Sequence, residues 1–189
     1  MVMGLCQGGR IVLYDGNPGY PDLGVLWRFT ERVGSTFFGA GAAFYANCMK
    51  AGIEPAKVAD LSALRTLGAT GSPLPPEAYR WAYTHVKRDL WLVMDDLYNR
   101  LVFDGKTAPN PYEFAEDRGD ASKLVVVQGV SKMYAMTGFR IGWAIANREV
   151  CEAMTNIQSH QTSGPVTVSQ WAAIGALSGA QTSIETLRL

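Results

Sequence analysis

The segment Leu124-Val125-Val126-Val127-Gln128 leads directly into Gly129-Val130-Ser131-Lys132. A short apolar run of this kind, followed by glycine, is typical of a strand that is buried inside a parallel sheet. The residues after it are mostly small, and they carry Lys132 and, eight positions later, Arg140. The sequence therefore predicts a buried strand that ends in a tight loop with two cationic side chains.

Strand-like and helix-like segments alternate along the rest of the chain. Strands are predicted at Arg10–Tyr14, Thr36–Phe38, Leu64–Leu67, Leu90–Met94, Leu101–Phe103, Leu124–Gln128 and Phe139–Ala146. Helices are predicted at Asp22–Val33, Ala42–Ala51, Pro75–Lys87, Arg148–Gln158, Val166–Leu177 and Ser183–Leu189, and a loop at residues 106–121. This alternation favours a layered α/β fold, with a mainly parallel sheet flanked by helices.

Composition narrows the classes of function. The chain has 189 residues, of which 48% are hydrophobic and 18% charged, so it can form one domain or two small ones. Seventeen basic residues balance seventeen acidic ones, which gives no reason to expect a nucleic acid partner. Three distant cysteines and two histidines have neither disulfide nor metal-site spacing. No apolar run approaches the length of a membrane span, and the first residues lack the features of a signal peptide. We expect a cytoplasmic protein without a metal or a membrane partner.

Five residues could form one binding site at the carboxyl end of the predicted sheet. Asp95 follows the strand Leu90–Met94, at the edge where parallel sheets bind ligands. A lysine on a loop of small residues can lose its proton and act as a nucleophile, and an arginine can hold a phosphate by two parallel hydrogen bonds. The candidate residues are Asp95, Tyr98, Ser131, Lys132 and Arg140.

Residues 93–189 resemble the cofactor-lysine part of the class I/II aminotransferases, which use pyridoxal phosphate (PLP). The resemblance rests on the segment Gly129–Gly142, on Asp95-Asp96-Leu97-Tyr98 and on Thr155–Ala173. It implies that Lys132 is the catalytic Schiff-base lysine, and that Asp95 and Tyr98 bind the pyridine nitrogen and the ring oxygen. It also implies that Ser131 and Arg140 hold the phosphate. The expected ligand beside PLP is a small amino acid or keto acid.

Residues 1–92 resemble an internal part of acetoacetyl-CoA synthetase, of the adenylate-forming acyl-CoA synthetases. The matching segments are Leu13–Pro21, Phe37–Ala42 and Leu64–Leu74. In that family the second segment borders the acyl pocket and the third runs beside the adenine. Both parental segments are strand-like near Leu92-Val93, so we expect one strand, at residues 90–94, to be shared.

Three functions remain open from the sequence. The first is an aminotransferase-like PLP protein with an incomplete active site, because the family's other phosphate and substrate groups lie outside the matching segment. The second is a non-catalytic binding or inhibitor protein, and the third an inactive synthetase-like or recombinant product. Tryptophans exposed by truncation would favour a homo-oligomer or a protein partner. The candidates are Trp27, Trp81, Trp91, Trp143 and Trp171.

Overall fold

A single five-stranded sheet organises the computed structural model, which describes residues 8–103, 106–115 and 119–187. Its strands follow the chain order β1-β2-β3-β4-β5; the first four are parallel, and β5 runs antiparallel to β4. This confirms the predicted α/β fold. The strands are β1 (Phe37–Gly41), β2 (Thr66–Thr70), β3 (Trp91–Asp95), β4 (Leu124–Gly129) and β5 (Gly142–Ile145).

Helices connect the strands and close the chain. The α-helices are α1 (Val25–Val33), α2 (Ala42–Lys50), α3 (Pro55–Val58), α4 (Pro76–Trp81), α5 (Val130–Met133), α6 (Arg148–Thr162), α7 (Thr167–Ser178) and α8 (Thr182–Leu187). A π-helical turn (Ala82–Val86) continues α4, so the helix predicted at Pro75–Lys87 forms in two parts. Short 3₁₀ turns lie at Pro111–Phe114, Gly119–Ala121 and Thr137–Phe139.

The main hydrophobic core lies on one face of the sheet. Parallel strands that follow one another in chain order, joined by right-handed connections, place their connecting helices on the same side. Side chains that alternate along β2, β3 and β4 are buried on this side: Leu67, Ala69, Leu92, Met94, Leu124 and Val126. Because Leu92 and Met94 belong to β3, the strand predicted to be shared lies at the centre of the core.

Aromatic side chains fill the space between this sheet face and the helices. Trp27 of α1 is fully buried; its ring centroid lies 4.8 Å from that of Phe38 and 5.9 Å from that of Trp81, in an edge-on arrangement. Aromatic pairs at such distances add to the stability gained from burial alone. The expectation that Trp27 and Trp81 are exposed is therefore wrong, whereas Trp171 is 69% exposed.

Three predicted strands differ from the structure. Arg10–Tyr14 and Leu101–Phe103 are irregular rather than extended within a sheet. An apolar run forms a strand only where a neighbouring strand can pair with it, and Leu13 is 71% exposed. The strand predicted at Phe139–Ala146 is shortened to β5, because Thr137–Phe139 forms a 3₁₀ turn and Arg140 adopts a left-handed conformation.

A buried polar cluster joins β3, β4 and β5. The Asp96 side chain, 4% exposed, accepts hydrogen bonds from Gln128 Nε2 (2.9 Å) and Asn99 Nδ2 (3.0 Å). Trp143 Nε1 of β5 donates to Gln128 Oε1 at 3.3 Å. The backbone N–H of Asp96 donates to Val127 O at 2.8 Å, which continues the β3–β4 pairing by one residue. The cluster thus ties the carboxyl end of β3 to both later strands.

Two glycines allow β4 and β5 to approach closely. Gly129 and Gly142 are partners in the antiparallel register. A Cβ atom on Gly142 would lie 2.7 Å from Gln128 O, and one on Gly129 would lie 2.9 Å from Ile141 O. Both obstacles are backbone atoms, which cannot move as the end of a side chain can. The hairpin that carries Lys132 therefore requires glycine at its base.

We predict that Gly142→Ala destabilises the fold by about 1–3 kcal/mol, the usual cost of forcing extra atoms into a packed region. Gly138→Ala is the matched control in the same hairpin, since a Cβ atom there would meet no heavy atom within 4 Å. Chemical unfolding of both variants measures the difference. Equal stability of the two would contradict the close approach of the strands.

Burial raises the pKa of Asp96 and the nearby Asp95 charge adds to this, while the hydrogen bonds from Gln128 and Asn99 oppose it. Between the ordinary and the raised pKa, the folded chain binds more protons than the unfolded chain, so stability falls as the pH rises. We expect wild type to lose up to about 1.4 kcal/mol per pH unit across this window relative to Asp96→Asn.

Urea unfolding from about pH 3.5 to about pH 7, a range that begins near the ordinary carboxyl pKa, tests this. Asp89→Asn provides a control of opposite sign, because the Lys123 ammonium lowers the pKa of Asp89. The contact between Asp89 and Lys123 stabilises the fold above the ordinary carboxyl pKa, and this stabilisation is lost as the pH falls. A wild-type minus Asp96→Asn difference that does not change with pH would refute the assignment.

Candidate functional site

The carboxyl ends of β2, β3 and β4 meet at one edge of the sheet. Ala69 pairs with Met94, so the next residues, Thr70 and Asp95, also lie side by side on the same sheet face. On the other side Asp95 pairs with Val127 of β4. Five residues beyond Val127, the chain reaches Lys132. The parallel register therefore brings Asp95 and the lysine loop to the same edge, as the sequence predicts.

The two carboxylate oxygens of Asp95 differ in their surroundings. Oδ2 accepts a hydrogen bond of 2.8 Å from Thr70 Oγ1. Oδ1 is buried and has no hydrogen-bond partner within the described part of the chain. A buried acceptor without a partner is costly and uncommon, and such groups concentrate at binding sites. Asp95 Oδ1 is thus available to a donor from a bound ligand.

Lys132 lies beside Tyr98. Its Nζ atom is 5.9 Å from the centroid of the Tyr98 ring, within the range of a cation–π contact. The one-turn helix α5 holds the lysine in place, because Val130 and Met133 at its two ends are buried while Lys132 is half-buried. The structure therefore brings the predicted nucleophile and the predicted ring-oxygen partner together.

Ser131 and Arg140 lie in the connection between β4 and β5: Ser131 is in α5, and Arg140 follows the 3₁₀ turn Thr137–Phe139. Gly129 pairs with Gly142, and the two residues follow and precede this pair by two positions each. Arg140 has a φ of 52°, a left-handed conformation that costs energy for any residue other than glycine. Its Nη1 donates to Thr137 O at 3.1 Å, and the side chain is exposed. Among the described residues, no hydrogen bond joins Arg140 to Ser131 or Lys132.

Two features of this edge are absent from the sequence interpretation. Thr70 belongs to the segment Leu64–Leu74, which resembles the synthetases, and its hydrogen bond to Asp95 depends on a register that the sequence does not show. The partners of Asp96 are Gln128 of β4 and Asn99 in the turn after β3. Gln128 belongs to no motif that the sequence analysis singled out. An Asp-Asp pair after a buried strand is the signal that could have identified both, since one carboxylate must face each side of the sheet.

One observation in this structure shows that the residues at the sheet edge fit PLP. Asp95 Oδ1 is buried and has no hydrogen-bond partner among the described residues. A protonated pyridine nitrogen could donate the hydrogen bond that this oxygen lacks. Among described residues, no three His, Cys, Asp or Glu side chains could hold a metal ion together. The helices in the described ranges include none that is long and apolar enough to cross a membrane.

Two family models match the chain. The model of aminotransferase class I and II matches residues 69–188, and that of AMP-binding enzymes matches residues 1–94. The composite character predicted from the sequence is therefore confirmed. The two matches overlap at residues 69–94, which include Thr70 and nearly all of β3.

Individual relatives agree with both models. Over 92 residues the chain is 44% identical to an aspartate aminotransferase of Rhizobium meliloti (strain 1021). This alignment covers 49% of the chain and 22% of the aminotransferase. Over 92 residues the chain is 38% identical to an acetoacetyl-CoA synthetase of Xenopus tropicalis. That alignment covers 49% of the chain and 14% of the synthetase. The chain therefore spans about a quarter or less of each of these relatives.

Solved structures support the aminotransferase part. The aspartate aminotransferase from Rhizobium meliloti aligns with 70% of this chain and 35% of its own length, at 33% identity and a TM-score of 0.60. The family match over residues 69–188 includes the sheet edge that carries Asp95 and Lys132. Because the family model matches more than half of its residues, the chain belongs to the aminotransferase class I and II family.

Proposed function

We propose that the chain binds PLP at the carboxyl edge of its sheet, with Lys132 as the covalent attachment point. The observation that carries this proposal is the buried Asp95 Oδ1 without a partner, at the edge where Lys132 Nζ lies against Tyr98. Family membership supports it, since aspartate aminotransferase-like enzymes depend on PLP. When bound, PLP supplies an aldehyde and an electron-withdrawing ring.

Each chain residue has a distinct task in this proposal. Asp95 Oδ1 would accept a hydrogen bond from the ring N–H, and the carboxylate charge would favour the protonated ring nitrogen. Tyr98 donates its hydroxyl to the ring oxygen. Lys132 would be the amine that holds the cofactor aldehyde and would carry protons at the site, with its Nζ atom beside Tyr98. Ser131 and Arg140, both in the connection between β4 and β5, would bind the phosphate.

The proposed activity is weak amino-acid or keto-acid chemistry at most. The sequence identifies a cofactor lysine and phosphate groups, but no arginine that holds the substrate carboxylate. Positioning of the substrate supplies a large part of enzymatic rate enhancement. Without a clamp of that kind, we expect a bound amino acid to react slowly and with little selectivity.

Covalent trapping tests the proposal. We expect equimolar PLP followed by borohydride to add one reduced pyridoxyl phosphate group, located at Lys132 by peptide mass spectrometry. Lys132→Ala should lose this adduct. Lys57→Ala is the control, because the Lys57 side chain is 73% exposed and would react readily if exposure alone decided labelling. Labelling distributed over exposed lysines, with no preference for Lys132, would contradict the proposal.

A non-catalytic binding function is the second candidate, and the surface of α7 favours it. This helix has no charged residue and buries only Ser169 and Ala173. Its larger apolar side chains are exposed, namely Val168, Trp171, Ile174 and Leu177. Apolar patches of this kind usually mark interaction sites. We propose that two copies of the chain associate through α7, a form of binding that does not require PLP.

We expect the wild-type chain to sediment as an oligomer and Trp171→Glu to shift it toward monomer, because a buried unpaired charge would face the partner. Tyr20→Glu changes another exposed aromatic residue, 74% exposed and outside α7, and serves as the control. Sedimentation at several concentrations measures the effect. A wild-type chain that stays monomeric at all of them would refute the association.

A further inference from the structure

We propose that Thr70 is the positioning residue for Asp95, so that a residue from the region that both family models match completes the PLP site. This inference rests on the proposed function and adds to it a residue outside the aminotransferase motifs. Thr70 Oγ1 donates to Asp95 Oδ2 at 2.8 Å, a normal length for a hydroxyl that binds a carboxylate.

The register of the sheet makes this contact predictable from the backbone. Thr70 and Asp95 end neighbouring parallel strands, one residue beyond the Ala69–Met94 pair. Side chains of paired residues in a parallel sheet lie on the same face, about 5 Å apart. A threonine hydroxyl at this position can therefore reach the carboxylate without distortion. Its β-branched side chain has few allowed rotamers, which keeps the hydroxyl in place.

The hydrogen bond decides which oxygen remains available. A carboxylate rotates about its last bond unless a partner fixes it. Thr70 holds Oδ2, and Oδ1 then stays buried and unpartnered, where it can accept the ring N–H of a ligand. Without the hydroxyl, the carboxylate has no side-chain donor among the described residues, and it can turn both oxygens toward water.

The other carboxylate at this edge has a different role. Asp96 is held by Gln128 and Asn99, and its backbone N–H pairs with Val127 O. These contacts fix the backbone beneath Asp95 but do not orient the Asp95 side chain. Thr70 is thus the described side chain that sets the direction of the carboxylate itself.

Thr70→Val tests the inference, because valine keeps the shape and removes only the hydroxyl. We expect the dissociation constant for PLP to rise about tenfold, the scale of one hydrogen bond to a charged group. Thr70→Ser should restore binding to within about twofold of wild type by the same reasoning. Thr66→Val is the matched control, since Thr66 lies on the same face of β2 but pairs with Trp91.

A second readout separates positioning from a general loss of structure. With ¹⁵N-labelled PLP, the nitrogen chemical shift reports the pH at which the bound ring loses its proton. Thr70→Val should lower that pH, because Asp95 no longer faces the ring nitrogen, and Thr66→Val should leave it unchanged. Thermal unfolding of each variant shows whether it folds.

The outcomes distinguish this inference from the proposed function. If Asp95→Ala prevents PLP binding while Thr70→Val binds as wild type does, the positioning role is refuted and the PLP site stands. Weak binding by Thr70→Ser, or by Thr66→Val, would equally refute a role for the hydroxyl. A wild-type chain that forms no adduct at Lys132 would overturn both.

Discussion

The parallel pairing of β3 with β2 and β4 is the constraint on which the rest of the structure depends. Leu92 and Met94 bury one face of β3 in the core, and hydrogen bonds on both sides fix its register. Because side chains alternate along a strand, the same register that buries Met94 turns Asp95 to the opposite face. A slip of one residue would exchange the two and remove both the core and the site.

This constraint also explains how two unrelated segments form one sheet. The family matches overlap at residues 69–94, so Thr70, α4 and most of β3 satisfy both patterns. A strand–helix–strand unit makes the same demands in either family: an apolar strand, a helix with one apolar face, and a right-handed connection. The division of the chain into a part at residues 1–92 and a part at residues 93–189 stays a prediction.

The sequence predicts the order and type of most elements, because apolar runs and glycine or proline boundaries are local signals. It also predicts a site at Asp95, Tyr98 and Lys132, whose spacing follows a recognisable motif, and the assignment of these residues to a cofactor stays a prediction. It fails at Arg10–Tyr14, where the apolar run stays irregular and Leu13 is largely exposed. The contacts of Thr70 and Gln128 depend on which strands become neighbours and in which register, and a local pattern does not contain that information.

In this proposal, Thr70 of the region that both family models match directs the Asp95 carboxylate toward a cofactor held by Lys132. A crystal structure of the chain after reaction with PLP and borohydride tests this central claim most directly. The account predicts continuous density from Lys132 Nζ to the cofactor, with the ring nitrogen within hydrogen-bond distance of Asp95 Oδ1 and Thr70 still bound to Oδ2. A cofactor bound to another lysine, or a ring nitrogen directed away from Asp95, would contradict it.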